Sequence, residues 1–313
     1  MISLALPRPG FLRWTREHPD RRGRPAAPAP RRARHAARDV WPVTAHETLP
    51  LAGRSALVTG AARRGGIGHA IATRLADMGA SLCVQHLAAH DAAQPWGADD
   101  TAAALDALRE HLAPSAVLTD LEADLAEPDA AERLVAHAAA RLGHLDVLVC
   151  NHARSGGDGS LLEQTPETLD GHWQVNTRAT LLLTAAFARR HDGRAGGRVV
   201  WLTSGQGLGP MRGEVAYAAS KAALAGVTAT VADELVDRGI LLNTVNPGPV
   251  DTGYLSADTS DRPEQLEWVR AHFPAGRFGE PDDPARLVAW LVSDEGRWVV
   301  GQVLDTEGGF RRA

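Results

Sequence analysis

Between residues 51 and 310 the chain alternates short, nearly all-apolar runs with longer Ala- and Leu-rich amphipathic stretches, and this alternation limits the fold most severely. The runs 55–59, 81–86, 116–119, 146–150, 198–203, 240–245 and 302–305 read as seven strands. Stretches such as 67–78 and 129–142 lie between them and are long enough for helices. A strand that is apolar on both sides must be covered on both faces, and a strand–helix–strand repeat provides that cover. The pattern predicts a doubly wound parallel seven-stranded sheet, an α/β fold with right-handed crossovers and helices on both faces. No linker breaks it, so 51–313 is expected to form one domain.

Composition narrows the function classes. A chain of 313 residues with 44% hydrophobic and 23% charged residues is not disordered as a whole. It contains no run of about 18 uncharged apolar residues, so no membrane span is expected. Cys83 and Cys150 are too few for a disulfide framework and fit a reducing, cytoplasmic setting. No Cys/His cluster has zinc spacing, so no metal is expected. The net charge of −5 gives no general reason to expect nucleic acid. Residues 1–50 stand apart: ten arginines against Glu17, Asp20, Asp39 and Glu47 give +6, leaving −11 for the rest. This basic, Pro- and Ala-rich segment reads as a disordered tail or an over-long translation start; contact with nucleic acid or an acidic surface, or a targeting role, are the alternatives.

The first strand runs into Gly60, then Ala61-Ala62-Arg63-Arg64-Gly65-Gly66-Ile67-Gly68, and then a helix. Glycines let the backbone turn tightly and approach a pyrophosphate, whose charge a helix N-terminus stabilises. After the first strand of an alternating α/β chain, such a loop points to a dinucleotide; the bland alternative is a plain strand–helix turn. An NAD site usually carries an acid at the end of the second strand for the ribose 2′-OH. Here that end reads Val84-Gln85-His86-Leu87. Arg63 and Arg64 suit a 2′-phosphate, favouring NADP(H) over NAD(H), unless they are simply solvated.

The chain has 33 Lys and Arg together, and Lys221 is its only lysine. Tyr217, one of two tyrosines, lies four residues before it, on the same face of a helix. In a chain so depleted of lysine, a lone one marks a place where a wide guanidinium does not serve. A phenol has a pKa near 10, and a nearby cation stabilises its anion, so the pair suits general acid–base work. Ser204, at the end of the fifth strand, has a hydroxyl that can hold a carbonyl oxygen beside the phenol.

Together these elements resemble the short-chain dehydrogenase/reductases with a Tyr-x-x-x-Lys active site. The resemblance runs from about residue 51 to 310. It rests on Thr59-Gly60 with Gly66 and Gly68, Asp124-Leu125, Asn151, Asn176, Ser204, Tyr217-Ala-Ala-Ser-Lys221, Asn246-Pro247-Gly248 with Thr252, and Gly301-Gln302 before Gly308-Gly309. It is nearest to proteins labelled 3-oxoacyl-acyl-carrier-protein reductase, within a branch with a longer phosphate loop and a Pro95-Trp96-Gly97 segment. The resemblance implies a single-domain Rossmann fold and hydride transfer between NADP(H) and a carbonyl or secondary alcohol, with a 3-oxoacyl thioester as substrate. Tyr217 would exchange the proton and Ser204 hold the substrate oxygen. Lys221 would bind the nicotinamide ribose and depress the Tyr217 pKa, and Asn176 would anchor a water linking Lys221 to solvent. Asp124 would contact adenine, with Leu125 beside it. His86 and Asn151 would line the cofactor, and Pro247, Gly248, Val250 and Thr252 would receive its carboxamide. The resemblance also implies a homodimer or homotetramer.

Two departures stand out. Five residues separate Gly60 from Gly66 where the common form has three, and Cys150-Asn151-His152-Ala153 replaces Asn-Asn-Ala-Gly. Cys150 reads as a small buried apolar residue. His152 either tunes the cofactor pocket or is a satisfied structural histidine. Candidate substrate contacts are Arg154, Gln206, Met211 in the 207–212 loop, Glu214 and the segment 253–273, which is either a mobile lid or a surface helix packed through Trp268 and Phe273. Alternatives to the 3-oxoacyl reductase are an enzyme for another ketone or alcohol, a silent NADP-binding regulatory module, or an epimerase, dehydratase or lyase on the same scaffold.

Overall fold

A parallel sheet of seven strands forms the centre of the molecule, seen in a computed structural model that describes residues 49–256, 258–260 and 263–310. The expected tail, 1–50, lies outside the described residues except for Leu49 and Pro50. The strands are β1 Ser55–Thr59, β2 Ser81–His86, β3 Leu118–Glu122, β4 Val147–Cys150, β5 Gly197–Leu202, β6 Ile240–Asn246 and β7 Val303–Asp305. Their order is β3-β2-β1-β4-β5-β6-β7, and every pairing is parallel. The order reverses between β1 and β4, which opens a crevice at the carboxyl ends of those strands.

The helices are α1 Ile67–Asp77, α2 Ala88–Ala92, α3 Thr101–Arg109, α4 Ala130–Leu142, α5 Pro166–His172, α6 Ala179–Arg190, α7 Val215–Val236, α8 Pro263–Ala271 and α9 Asp282–Val292. Between α5 and α6 the backbone widens into a π-helical stretch, Trp173–Arg178. Strand residues alternate between faces, and the two layers of core follow from that. Ala56 and Val58 of β1 join Leu82, Val84, Ile71, Leu75, Val288 and Val292 on the α1–α9 face. Leu57 joins Cys83, Leu148, Trp201, Leu134, Leu183 and Leu224 on the α4–α6–α7 face. The doubly wound expectation thus holds strand by strand.

One strand departs from expectation. The expected strand 116–119 is found two residues later, at β3, because its half-exposed Leu-Thr-Asp-Leu-Glu run lies at the sheet edge and lacks the apolar signature of a central strand. By length and composition α7 is apolar enough to cross a bilayer, with a mean hydropathy of 1.3 in its most apolar window. In the fold it lies along β6 and buries Ser220, Lys221, Leu224 and Thr228.

Candidate functional site

The turn after β1 approaches its neighbours as closely as backbone permits. Gly60 has a φ of +66°, a conformation that side-chain-bearing residues rarely adopt. A Cβ on Gly68 would stand 2.2 Å from the Gly60 carbonyl oxygen and 2.5 Å from Asn151 Nδ2. Asn151 holds the turn, donating from Nδ2 to the carbonyls of Thr59 at 3.1 Å and Gly60 at 3.0 Å. Gln85 Oε1 accepts from Gly60 N at 3.0 Å, while its Nε2 donates to Ala123 O at 2.8 Å. Among the described residues no side chain caps α1 at Gly66, and its first turn holds no acid. Its N-terminal amides therefore face the crevice as donors, the arrangement a pyrophosphate needs.

The two arginines of this loop are not arranged as expected. Arg63 extends across the crevice, donates from Nη2 to the Thr252 carbonyl, and stacks on Trp96 with 5.4 Å from its guanidinium carbon to the ring centroid. Arg64 turns to Asp99, whose carboxylate accepts from the Arg64 amide at 2.6 Å. Both side chains are thus engaged by this chain's own groups, Arg63 by a carbonyl and an aromatic face and Arg64 by a carboxylate. At the end of β2, His86 bonds Asp120 through Nε2 at 3.1 Å. Its buried Nδ1 has no partner among the described residues.

The residues expected to do acid–base work lie at the carboxyl end of β5 and on α7. Lys221 is 2% exposed and donates from Nζ to the Leu202 carbonyl at 2.8 Å. Its ammonium stands 5.8 Å from the Tyr217 ring centroid, and burial pulls its pKa down to about 8. Burial, joined by the Glu214 carboxylate, pushes the Tyr217 phenol up to about 12 against the hydrogen bond from Ser204, which lowers it. The Lys221 ammonium is engaged by a backbone carbonyl, and desolvation of the phenol is the largest influence on Tyr217. Ser204 Oγ also donates to Met211 Sδ at 4.0 Å.

Asn176 sits in the π-helical stretch, fully buried. Its amide pairs with both backbone groups of Arg154, accepting from N at 2.7 Å and donating to O at 3.1 Å. It also donates to Ser220 Oγ at 2.9 Å, so it meets Lys221 only through the neighbouring residue. The Arg154 guanidinium packs on Gly171, where a Cβ would stand 2.1 Å from Nη1. His152 is a structural histidine: Nδ1 meets Thr59 Oγ1 at 2.7 Å and Nε2 meets Val175 O at 3.1 Å. Since a carbonyl only accepts, the proton is on Nε2. Burial, with Lys221 nearby, drives its pKa to about 3.

Past β6, Asn246 Oδ1 accepts from Gly248 N at 3.0 Å, and Asn246 Nδ2 donates to Asp305 at 2.8 Å and Glu307 at 2.7 Å. Pro247 and Gly248 thereby form a fixed shelf at the crevice. Val250 pairs with Gly279 and is 2% exposed, so its side chain faces the core. Leu125 likewise belongs to the core, and the exposed Asp124 accepts from Ala126 N at 2.8 Å. Gln206 Oε1 is buried without a partner among the described residues. Cys83 and Cys150 are buried thiols whose pKa values burial raises, and Cys150 is the small buried residue expected. Of the 253–273 segment, Phe273 packs with Leu255 and Phe278, whereas Trp268 is half exposed against His272 and Phe310.

Three residues at the site went unread in the sequence. Tyr254 meets Trp96 edge-on at 6.5 Å, and its phenol feels both Tyr217 and Glu214. Trp96 was visible only as part of a segment. Asp158 accepts the Ala216 and Tyr217 amides at the start of α7. Only the rarity of tyrosine, applied to Tyr254 as it was to Tyr217, offered a signal for any of them.

A parallel sheet with a glycine cradle at its topological switch and a Ser–Tyr–Lys group on the facing edge defines a dinucleotide-dependent class of protein. The family model described as enoyl-(acyl carrier protein) reductase matches residues 60–311. An uncharacterized oxidoreductase of Bacillus subtilis is 37% identical over 259 residues, covering 82% of this chain and 96% of its own. A 3-oxoacyl-[acyl-carrier-protein] reductase of Staphylococcus epidermidis is 30% identical over 257 residues, covering 82% and 98%. A short chain dehydrogenase from Burkholderia cenocepacia, crystallised in complex with NADP, is 34% identical, with a TM-score of 0.72 and coverage of 83% and 98%. The chain belongs to the short-chain dehydrogenase/reductase family of oxidoreductases.

Proposed function

We propose that the chain is an NADP(H)-dependent reductase of carbonyl compounds, with 3-oxoacyl thioesters as its substrate class. The observation that carries this reading is the Ser204–Tyr217–Lys221 group: a phenol kept protonated, hydrogen-bonded to a serine, above a buried ammonium. A protonated phenol is the acid that carbonyl reduction requires. The uncapped α1 terminus and the Gly60–Gly68 cradle fit a pyrophosphate, and the unpartnered His86 Nδ1 fits the ribose end of such a ligand. The cofactor, when bound, supplies the hydride.

The chain's own groups do the rest. Ser204 and Tyr217 hold the substrate oxygen, and Tyr217 delivers the proton to it. Lys221 sets the local field and offers donors to a ribose, while Asn176 keeps its helix in register with α7. Pro247, Gly248 and Thr252 present backbone groups and a hydroxyl to the nicotinamide end. Arg154, Gln206 and Met211 line the approach to Ser204. Residues 51–313 form the catalytic unit. The half-exposed Leu169, Trp173 and Leu182 support pairing of two copies as a dimer, or a tetramer; the reading sets the enzyme in the cytoplasm with neither nucleic acid nor membrane as partner. The 3-oxoacyl assignment draws on the Staphylococcus relative's name; reduction of another ketone is the second reading, favoured by Gln206 Oε1, a buried acceptor that an acyl chain would leave unused.

NADPH consumption with a short 3-oxoacyl thioester tests the proposal, using NADH and Tyr217→Phe as controls. Turnover that requires NADPH and Tyr217 is expected. Turnover with simple ketones alone would move the substrate to the second reading, and no turnover with any carbonyl would overturn the reductase.

A further inference from the structure

The α7 helix starts without a cap of its own. Its first-turn amides have no intrahelical acceptor, the Glu214 side chain does not cap it, and its first turn contains no acid. The acceptor comes instead from the loop after β4. Asp158 Oδ2 accepts from Tyr217 N at 2.7 Å, and Oδ1 accepts from Ala216 N at 3.1 Å. Oδ1 also accepts from Gly159 N at 2.7 Å and Gln164 Nε2 at 3.0 Å. Two glycines in left-handed conformations, Gly156 at φ +78° and Gly157 at +61°, turn the loop so that Asp158 arrives at this point.

The other end of the tyrosine's backbone is also held. Ser220 Oγ donates to Tyr217 O at 2.7 Å, and Asn176 Nδ2 donates to that Oγ at 2.9 Å. Asn176 in turn clamps Arg154, four residues before Asp158. The hydrogen bonds therefore close a ring around Tyr217: Asp158 at its N–H, Ser220 at its carbonyl, Asn176 and Arg154 returning to the loop.

We propose that Asp158 is a positioning residue for the proton donor: its carboxylate fixes the first turn of α7 and thereby the direction of the Tyr217 phenol, and it does so from the loop after β4. Burial raises the Asp158 pKa, but the amide donors of Tyr217, Gly159 and Ala216 outweigh it and hold the carboxyl below its ordinary value. The group thus stays charged, and charged acceptors make the stronger hydrogen bonds.

The proposal rests on the reductase reading for its kinetic consequence, and a second readout stands apart from activity. Asp158→Asn keeps one acceptor oxygen for Ala216 and Gly159 and places an amide NH2 before the Tyr217 N–H. The expected result is a kcat lowered about tenfold to a hundredfold, with the substrate KM and NADPH Kd within about twofold of wild type. Asp158→Ala loses all the bonds and lowers kcat further. The phenol is read separately by tyrosinate absorbance on raising pH, subtracting Tyr217→Phe so that Tyr254 cancels. In Asp158→Ala the Tyr217 titration shifts to lower pH, because the loosened turn admits water to the phenol, whose burial is what raises it. Unchanged kcat and titration in both variants would overturn the proposal. Parallel losses of KM, cofactor binding and melting temperature in Asp158→Asn would also overturn it, showing a general structural role. If wild type turns over no carbonyl, the reductase reading fails alone, and the titration decides for Asp158.

Discussion

The guanidinium of Arg63 donates to the carbonyl of Thr252, tying the loop after β1 to the segment after β6 across the crevice between them. Trp96 lies against the same guanidinium and meets Tyr254 edge-on. Gly253 allows the approach, since a Cβ there would stand 2.7 Å from Trp96 Cβ. Three segments far apart in sequence thus meet over the place where a dinucleotide fits. A guanidinium held in such a bridge is already engaged by a carbonyl and an indole, and so does not by itself discriminate on a 2′-phosphate.

Arg63→Ala is therefore expected to weaken NADPH and NADH alike, by about five- to tenfold, the scale of one charge-assisted hydrogen bond. Arg64→Ala, which leaves the bridge intact, is expected to weaken NADPH more than NADH. Fluorescence titration of both variants with both cofactors checks this. A selective loss of NADPH in Arg63→Ala would show that the side chain swings to the phosphate.

Lys221→Arg conserves charge and is still expected to lower kcat about a hundredfold, because a site with 2% exposure and one carbonyl at 2.8 Å has no room for a planar fork. Stability gives an independent check on the same residue. The folded pKa is near 8 and the unfolded one near 10.4, so over that window the unfolded chain binds more protons. Stability contributed by this group then rises with pH from about 8 to 10.4. Chemical denaturation of wild type and Lys221→Met across that window measures it, and equal slopes would place the lysine in a less buried setting.

The sheet was legible because its central strands are buried on both faces, and so carry unbroken apolar runs. The edge strand β3 was misplaced by two residues because edge burial leaves polar residues such as Asp120 and Glu122 in the ladder. Lys221 and Tyr217 could be found because a rare residue retained in an arginine-rich chain reports a constraint on shape. Asp158 could not: it lies 59 residues from the amide that it accepts, and a carboxylate in a Gly-rich loop resembles any turn residue. The destination of Arg63 was hidden for a similar reason. A sequence shows that a guanidinium is present near a phosphate loop, while the carbonyl and the indole that compete for it belong to other strands' ends.

His152 gives the fold a built-in acid sensitivity. Its ring is buried, accepts from Thr59 and donates to Val175, an arrangement only the neutral form satisfies. With a folded pKa near 3 against an unfolded value near 6.5, the unfolded chain binds the extra proton between those limits. Stability is therefore complete above pH 6.5 and falls as the pH drops toward 3, by about 2 kcal/mol at pH 5 from this group. His152→Gln retains an acceptor for Thr59 and a donor for Val175 but does not titrate. The variant is expected to be less stable than wild type at pH 7.5, where packing of the imidazole is lost, and to lose less stability than wild type between pH 7.5 and 5. Thermal melts of both proteins at the two pH values decide it, and parallel losses would assign the acid sensitivity to other groups.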